Sequence, residues 1–153
     1  MKMVQKIRLI SIVSALFLIV SCNSEKPSKE DKLNDLASFF KDELHLKSSP
    51  ERIFFISDKS CASCNKSFLT LAEEIYGLNN KRDYFIIGAS GMILDISYFI
   101  DHKDRVYHIK RHFTKKWQIP KSSSVIYLKG NKIDSIITIS ATNIKNQLDL
   151  IRK

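Results

Sequence analysis

The chain has 153 residues, of which 25 are lysine or arginine and 16 aspartate or glutamate, for a net charge of +9 with histidine neutral. That length suffices for one domain with its own core plus a tether. The positive balance suits anionic lipid or acidic partners better than nucleic acid if the N-terminus directs export, and no internal repeat or low-complexity tract is visible.

Lys2, Lys6 and Arg8 precede an apolar stretch from Leu9 to Val20, which ends in Ile19-Val20-Ser21-Cys22. A helix crossing a bilayer needs about 20 apolar residues, so this shorter run reads as a secretion signal. A small residue directly before a cysteine at the end of such a run resembles the lipobox of bacterial lipoproteins. The resemblance implies that residues 1–21 are a signal peptide and that Cys22 becomes the lipidated first residue of the mature chain. An ordinary signal peptide and an uncleaved anchor are the other readings. Most of these place the working domain outside the cytoplasm, where disulfides persist. Removing residues 1–21 takes away three basic residues and no acidic one, and the net charge falls from +9 to +6.

Residues 22–31 are polar and charged, as a flexible tether would be. The domain itself is expected over 32–153, with its core at about 50–153. Leu33, Leu36, Ala37, Phe39, Phe40, Leu44 and Leu46 recur near helical spacing and predict an amphipathic N-terminal helix over 32–46, ended before Ser48-Ser49-Pro50. Residues 52–57 are apolar on consecutive positions, which suits a central strand covered on both faces. Cys61 and Cys64 follow, and a helix begins near Asn65, its stripe being Phe68, Leu69, Ala72, Ile75 and Tyr76 with Gly77 as a stop. Tyr84–Gly88 is a second buried strand, so a β-α-β unit with parallel strands is expected. Residues 92–102 read as helix, while 105–113 fit no single pattern. Ser124–Leu128 and 132–140 flank a Gly130-Asn131 turn and predict a hairpin, and 143–152 closes the chain as a helix with Ile144, Leu148 and Ile151 on one stripe.

This order, with Cys-x-x-Cys at the first strand-to-helix junction, resembles the thioredoxin fold, a three-layer α/β/α arrangement around a central mixed sheet. The residues that carry the resemblance are Phe54-Phe-Ile-Ser-Asp-Lys-Ser-Cys-Ala-Ser-Cys-Asn-Lys-Ser-Phe68 and Val125-Ile-Tyr-Leu-Lys-Gly-Asn-Lys-Ile133. It is nearest to the membrane-tethered, extracytoplasmic thioredoxin-like lipoproteins. A cysteine at a helix N-terminus faces unsatisfied N–H groups and the positive end of the helix dipole, which favours thiolate over thiol. Cys61 is therefore the expected nucleophile, its pKa below the free value of about 8.5 and lowered further by neighbouring Lys59, with Cys64 as the resolving thiol. The implied activity is thiol–disulfide exchange with protein thiols or disulfides, without a cofactor, and with a separate redox partner to recharge the pair.

The chain departs from the family in places. Ser60 stands where a tryptophan precedes the first cysteine, Ser67 where tethered reductases of the cytochrome-maturation type often carry glutamate, and Phe55 where thioredoxin has its buried acid. The intervening Ala62-Ser63 matches none of the family's common pairs. Either Pro120, after Ile119, or Ser123 occupies the position of the family's cis-proline. Trp117, with Phe113, is a candidate wall of the substrate groove near Ile119 and Pro120. Two further readings of the cysteines stay open. As a structural staple, in a non-catalytic lipoprotein whose fold serves as a binding module, a ring this small stabilises by only about 2 kcal/mol. As a zinc site, the pair would join His108 and His112; as a copper site, it would join one of His102, His108 or His112.

Overall fold

The computed structural model describes residues 29–46, 50–59, 61–89, 91–109, 117, 119–130 and 132–153. The expected signal peptide, Cys22, Ser60, His112 and Phe113 lie outside them.

The first helix, α1, spans Lys29–Asp42. It starts inside the segment read as tether. It stops short of Leu46: the Phe39 carbonyl accepts from the N–H groups of both Glu43 and Leu44, and His45 then takes φ 47°. Strand β1, Arg52–Ile56, leads through a short loop to helix α2, Ala62–Gly77. Strand β2 is Asp83–Ile87, helix α3 is Ser97–Asp101 and strand β3 is Val106–His108. Strands β4, Ser124–Lys129, and β5, Lys132–Thr138, form the hairpin, and helix α4 is Ile144–Arg152.

The strands make a five-stranded mixed sheet in the order β3-β2-β1-β4-β5. β1 and β2 are parallel, with Phe54 opposite Phe85, and β3 continues the parallel set beyond β2, with Phe85 opposite Val106. On the other side β4 runs antiparallel to β1, with Phe54 opposite Val125. The β4–β5 pairing shifts register between Tyr127 and Leu128. Gly130 takes φ 63° in the connecting turn, a backbone state that glycine adopts without a Cβ clash.

Alternation along the strands separates two cores. Phe54, Ile56, Phe85, Ile87 and Val125 pack with Phe68, Leu69, Ala72 and Ile75 of α2, Phe99 of α3 and Ile151 of α4. Ile53, Phe55, Tyr84, Ile86 and Ile126 face the other way, against Leu36, Phe39 and Phe40 of α1. Continuous apolar runs in β1 and β2 are explained by this, since both faces of the central strands are covered. At the middle of the first core, Phe54 stacks on Phe85 with ring centroids 5.0 Å apart.

One segment differs from the sequence expectation, and another had none. The predicted helix over 92–102 shrinks to the single turn of α3, because Gly91 takes φ 79° and Asp95 Oδ1 accepts the Ser97 N–H, an Asx turn that competes with helix. Leu94 and Ile96 still enter the core, from an irregular backbone. The stretch after Arg105 resolves into the edge strand β3. Among the described residues no helix is long and apolar enough to cross a membrane.

Candidate dithiol site

Cys61 is the N-cap of α2, with the extended dihedrals (φ −69°, ψ 106°) that let a cap side chain turn back on the first helical turn. Its Sγ accepts the Cys64 N–H at 3.3 Å, and its carbonyl accepts the Asn65 N–H at 2.9 Å. Orphan N–H groups at a helix start need acceptors, and here a sulfur supplies one. Cys61 and Cys64 are joined as a disulfide, their Cα atoms 5.2 Å apart. The two sulfurs differ in access: Cys64 is 4% exposed inside the α2-side core, whereas Cys61 is half-buried at its edge. An incoming sulfur can therefore reach Cys61 and not Cys64.

The loop from β1 to Cys61 is fastened by buried polar side chains. The Ser57 N–H donates to Ser123 Oγ at 3.1 Å, and the same hydroxyl donates to the Ser57 carbonyl at 3.2 Å. Ser57 Oγ donates to the Lys121 carbonyl and accepts the Lys59 N–H. From the helix side, Asn65 Nδ2 donates to the Lys59 carbonyl at 2.7 Å. Ser57, Asn65 and Ser123 are all 3% exposed or less, and the two Ser57–Ser123 hydrogen bonds are made away from water. Close by, Gly88 donates its N–H to the Ile56 carbonyl, and a Cβ there would lie 3.0 Å from the Phe55 ring. That glycine lets β2 end flush against β1 beneath the cysteine loop.

The other residues singled out in the sequence fall as follows. Lys59 is exposed and joins the site through its backbone. Ser67 is exposed on α2, and Phe55 lies in the α1-side core, so neither position brings a carboxylate to the inner sulfur. Trp117 and Ile119 pack in that same α1-side core, with Trp117 6.0 Å from the Phe39 ring. The cysteines belong to the opposite core. Ser123 Oγ and the Lys121 carbonyl hydrogen-bond the cysteine loop at Ser57. Among the described residues no peptide bond is cis, so Ile119–Pro120, one of the two positions considered for the family's cis-proline, is trans. Ser123, the alternative position, hydrogen-bonds both main-chain polar groups of Ser57 in that loop.

His102 and His108 face α3 instead of the cysteines. The Nδ1 of His102 lies 2.5 Å from the Tyr98 carbonyl, and the Nε2 of His108 lies 3.4 Å from that of Phe99. Among the described residues no group of three or more histidine, cysteine, aspartate or glutamate side chains is placed to hold a metal ion. Burial, and then the charge of Asp95, push the carboxyl of Glu73 on α2 above the usual carboxylate range. Hydrogen bonds from the Ser97 side chain and backbone hold the Asp95 carboxyl low.

Sequence reasoning passed over Asn65 and Ser57. A signal for Asn65 did exist: it stands three residues before Phe68 and four before Leu69, so an amide sits on an otherwise apolar helical stripe.

Fold and site together define a mixed α/β domain with a Cys-x-x-Cys disulfide at the mouth of its first β-α connection. Comparison with protein-family models, with curated proteins and with solved structures gives no match.

Proposed function

We propose that the chain is a thioredoxin-like thiol–disulfide exchange protein, held by a lipid on Cys22 at the extracytoplasmic face of a membrane. The observation that carries the reading is the asymmetric pair at the helix start: a half-exposed Cys61 whose sulfur accepts a helix N–H, and a buried Cys64 bonded to it. The same order of elements, β-α-β followed by a β-hairpin and a helix, supports the family resemblance. The basic start, the apolar run and Ser21-Cys22 support export and lipidation.

In the reducing direction the Cys61 thiolate attacks one sulfur of a substrate disulfide, forming a mixed disulfide and releasing the other substrate sulfur as thiolate. Cys64 then gives up its proton and attacks Cys61 Sγ. This closes the Cys61–Cys64 disulfide and frees the second substrate thiol, so two electrons have passed from the pair to the substrate. Reversal of the same steps oxidises a substrate dithiol. A buried Cys64 cannot meet the first substrate sulfur, which is why Cys61 is the entry point.

Two measurements test this. Cys64→Ser, expressed as the full chain, should accumulate mixed disulfides with extracytoplasmic proteins, and Cys61→Ser should not. No adduct, or adducts with cytoplasmic proteins alone, would remove substrate class and location respectively. In a redox titration with thiol trapping, a pair that stays oxidised below about −300 mV would be a structural staple instead.

A further inference from the structure

Cys61 Sγ lies 3.4 Å from the hydroxyl of Ser63 as well as 3.3 Å from the Cys64 N–H. A sulfur in a disulfide carries no hydrogen, so the hydroxyl is the donor of that pair. Ser63 is exposed in the first turn of α2, where water would satisfy its hydroxyl equally well, yet the hydroxyl is turned to the sulfur. Reduction of the disulfide leaves negative charge on this atom, and a hydrogen bond to an ionised acceptor is about twice as strong as a neutral one.

We propose that the Ser63 hydroxyl is a thiolate-stabilising donor to Cys61, which tunes both its nucleophilicity and the redox poise of the pair. The inference rests on the exchange reading above and names a residue that acts on its reactive sulfur. It gives the dipeptide Ala62-Ser63 a chemical role: a small first residue keeps the outer sulfur uncovered, and the second supplies a hydrogen-bond donor to it. Stabilising the thiolate favours the dithiol form over the disulfide, so Ser63 makes the pair a stronger oxidant than the helix terminus alone would.

The experiment compares Ser63, Ser63→Ala and Ser63→Thr. Cys61 is first titrated by the pH dependence of alkylation in a Cys64→Ala background, where a single thiol avoids coupled titration. The charged residues flanking the pair in sequence, Asp58, Lys59 and Lys66, are the same in every variant, so a difference between variants reports the hydroxyl. Expected is a parent pKa below 8.5, a rise of about 0.5–1 unit in Ser63→Ala, and a parent-like value in Ser63→Thr. In the two-cysteine protein, protein dithiol and oxidised glutathione exchange with protein disulfide and two reduced glutathiones. Ser63→Ala should shift this equilibrium about 3–10-fold toward the protein disulfide, about 15–30 mV more negative. A parent titrating at about 8.5 overturns the exchange reading itself. A depressed parent value left unchanged by Ser63→Ala, or lost equally in Ser63→Thr, overturns the role of Ser63 and leaves that reading standing.

Discussion

One buried hydroxyl, that of Ser123, serves both main-chain polar groups of Ser57, and through them holds the path of the chain into Cys61. Removing it leaves a buried N–H and a buried carbonyl to lose their partner together, at a cost of about 1–3 kcal/mol. Ser123→Ala should therefore lower the stability of the oxidised protein by that amount in urea unfolding. An unchanged midpoint would mean that the clasp contributes nothing. Sequence inspection could name Ser123 only as an alternative to a proline position, because serine before a strand looks like any loop residue. Its partner is 66 positions away, and nothing local to either serine announces the other. Cys61 was readable as a helix cap, since an apolar strand, a short polar gap and a helical stripe bracket it within a few residues. Sulfur capping sulfur's own helix is a local event.

At the scale of elements, α2 and β1 were legible because their patterns are strong and their partners are near in sequence. The segment 92–96 was not, because Leu94 and Ile96 bury from an irregular backbone as well as they would from a helix. Alternate burial over so short a span carries no reliable period. This segment also brings Asp95 toward Glu73 of α2, whose carboxyl is pushed up by burial first and by Asp95 second. A carboxyl with a raised pKa in the fold favours folding in its protonated form. Its contribution is complete below the unfolded carboxylate range and is lost as pH rises through the folded value. Glu73→Gln should then stabilise the protein at pH 7 and make little difference at pH 3.5, as thermal melts at the two pH values would show. A substitution equally stabilising at both would point to packing rather than charge.

For the whole molecule, Arg52 is the tie between layers. Its guanidinium binds Asp83 of β2 through two hydrogen bonds, of 2.8 and 2.6 Å, and donates to the Ile151 carbonyl at the end of α4. Asp83 has no exposed side-chain surface, while Arg52 keeps 21%, and the Asp83 hydrogen bond is the main reason the Arg52 pKa rises. Arg52→Ala strands a carboxylate in the interior, at about 3–5 kcal/mol, whereas Asp83→Ala leaves a cation that water can still reach. Urea unfolding at pH 7 should thus rank Arg52→Ala as the more damaging of the two; the reverse order would show that Asp83 is not the buried partner. The sequence by itself determined the β-α-β start, the hairpin, the closing helix and a cysteine pair at a helix mouth. Each of these depends on side-chain periodicity, turn residues and capping within one or two elements. Tertiary structure alone decided that β3 forms one edge of the sheet, that Trp117 and Ile119 belong to the core away from the cysteines, and that Ser57, Ser123 and Asn65 fix the cysteine loop. Those outcomes follow from which strands pair and which face each residue turns, and hydrogen bonds between distant buried groups leave no period in the chain to read.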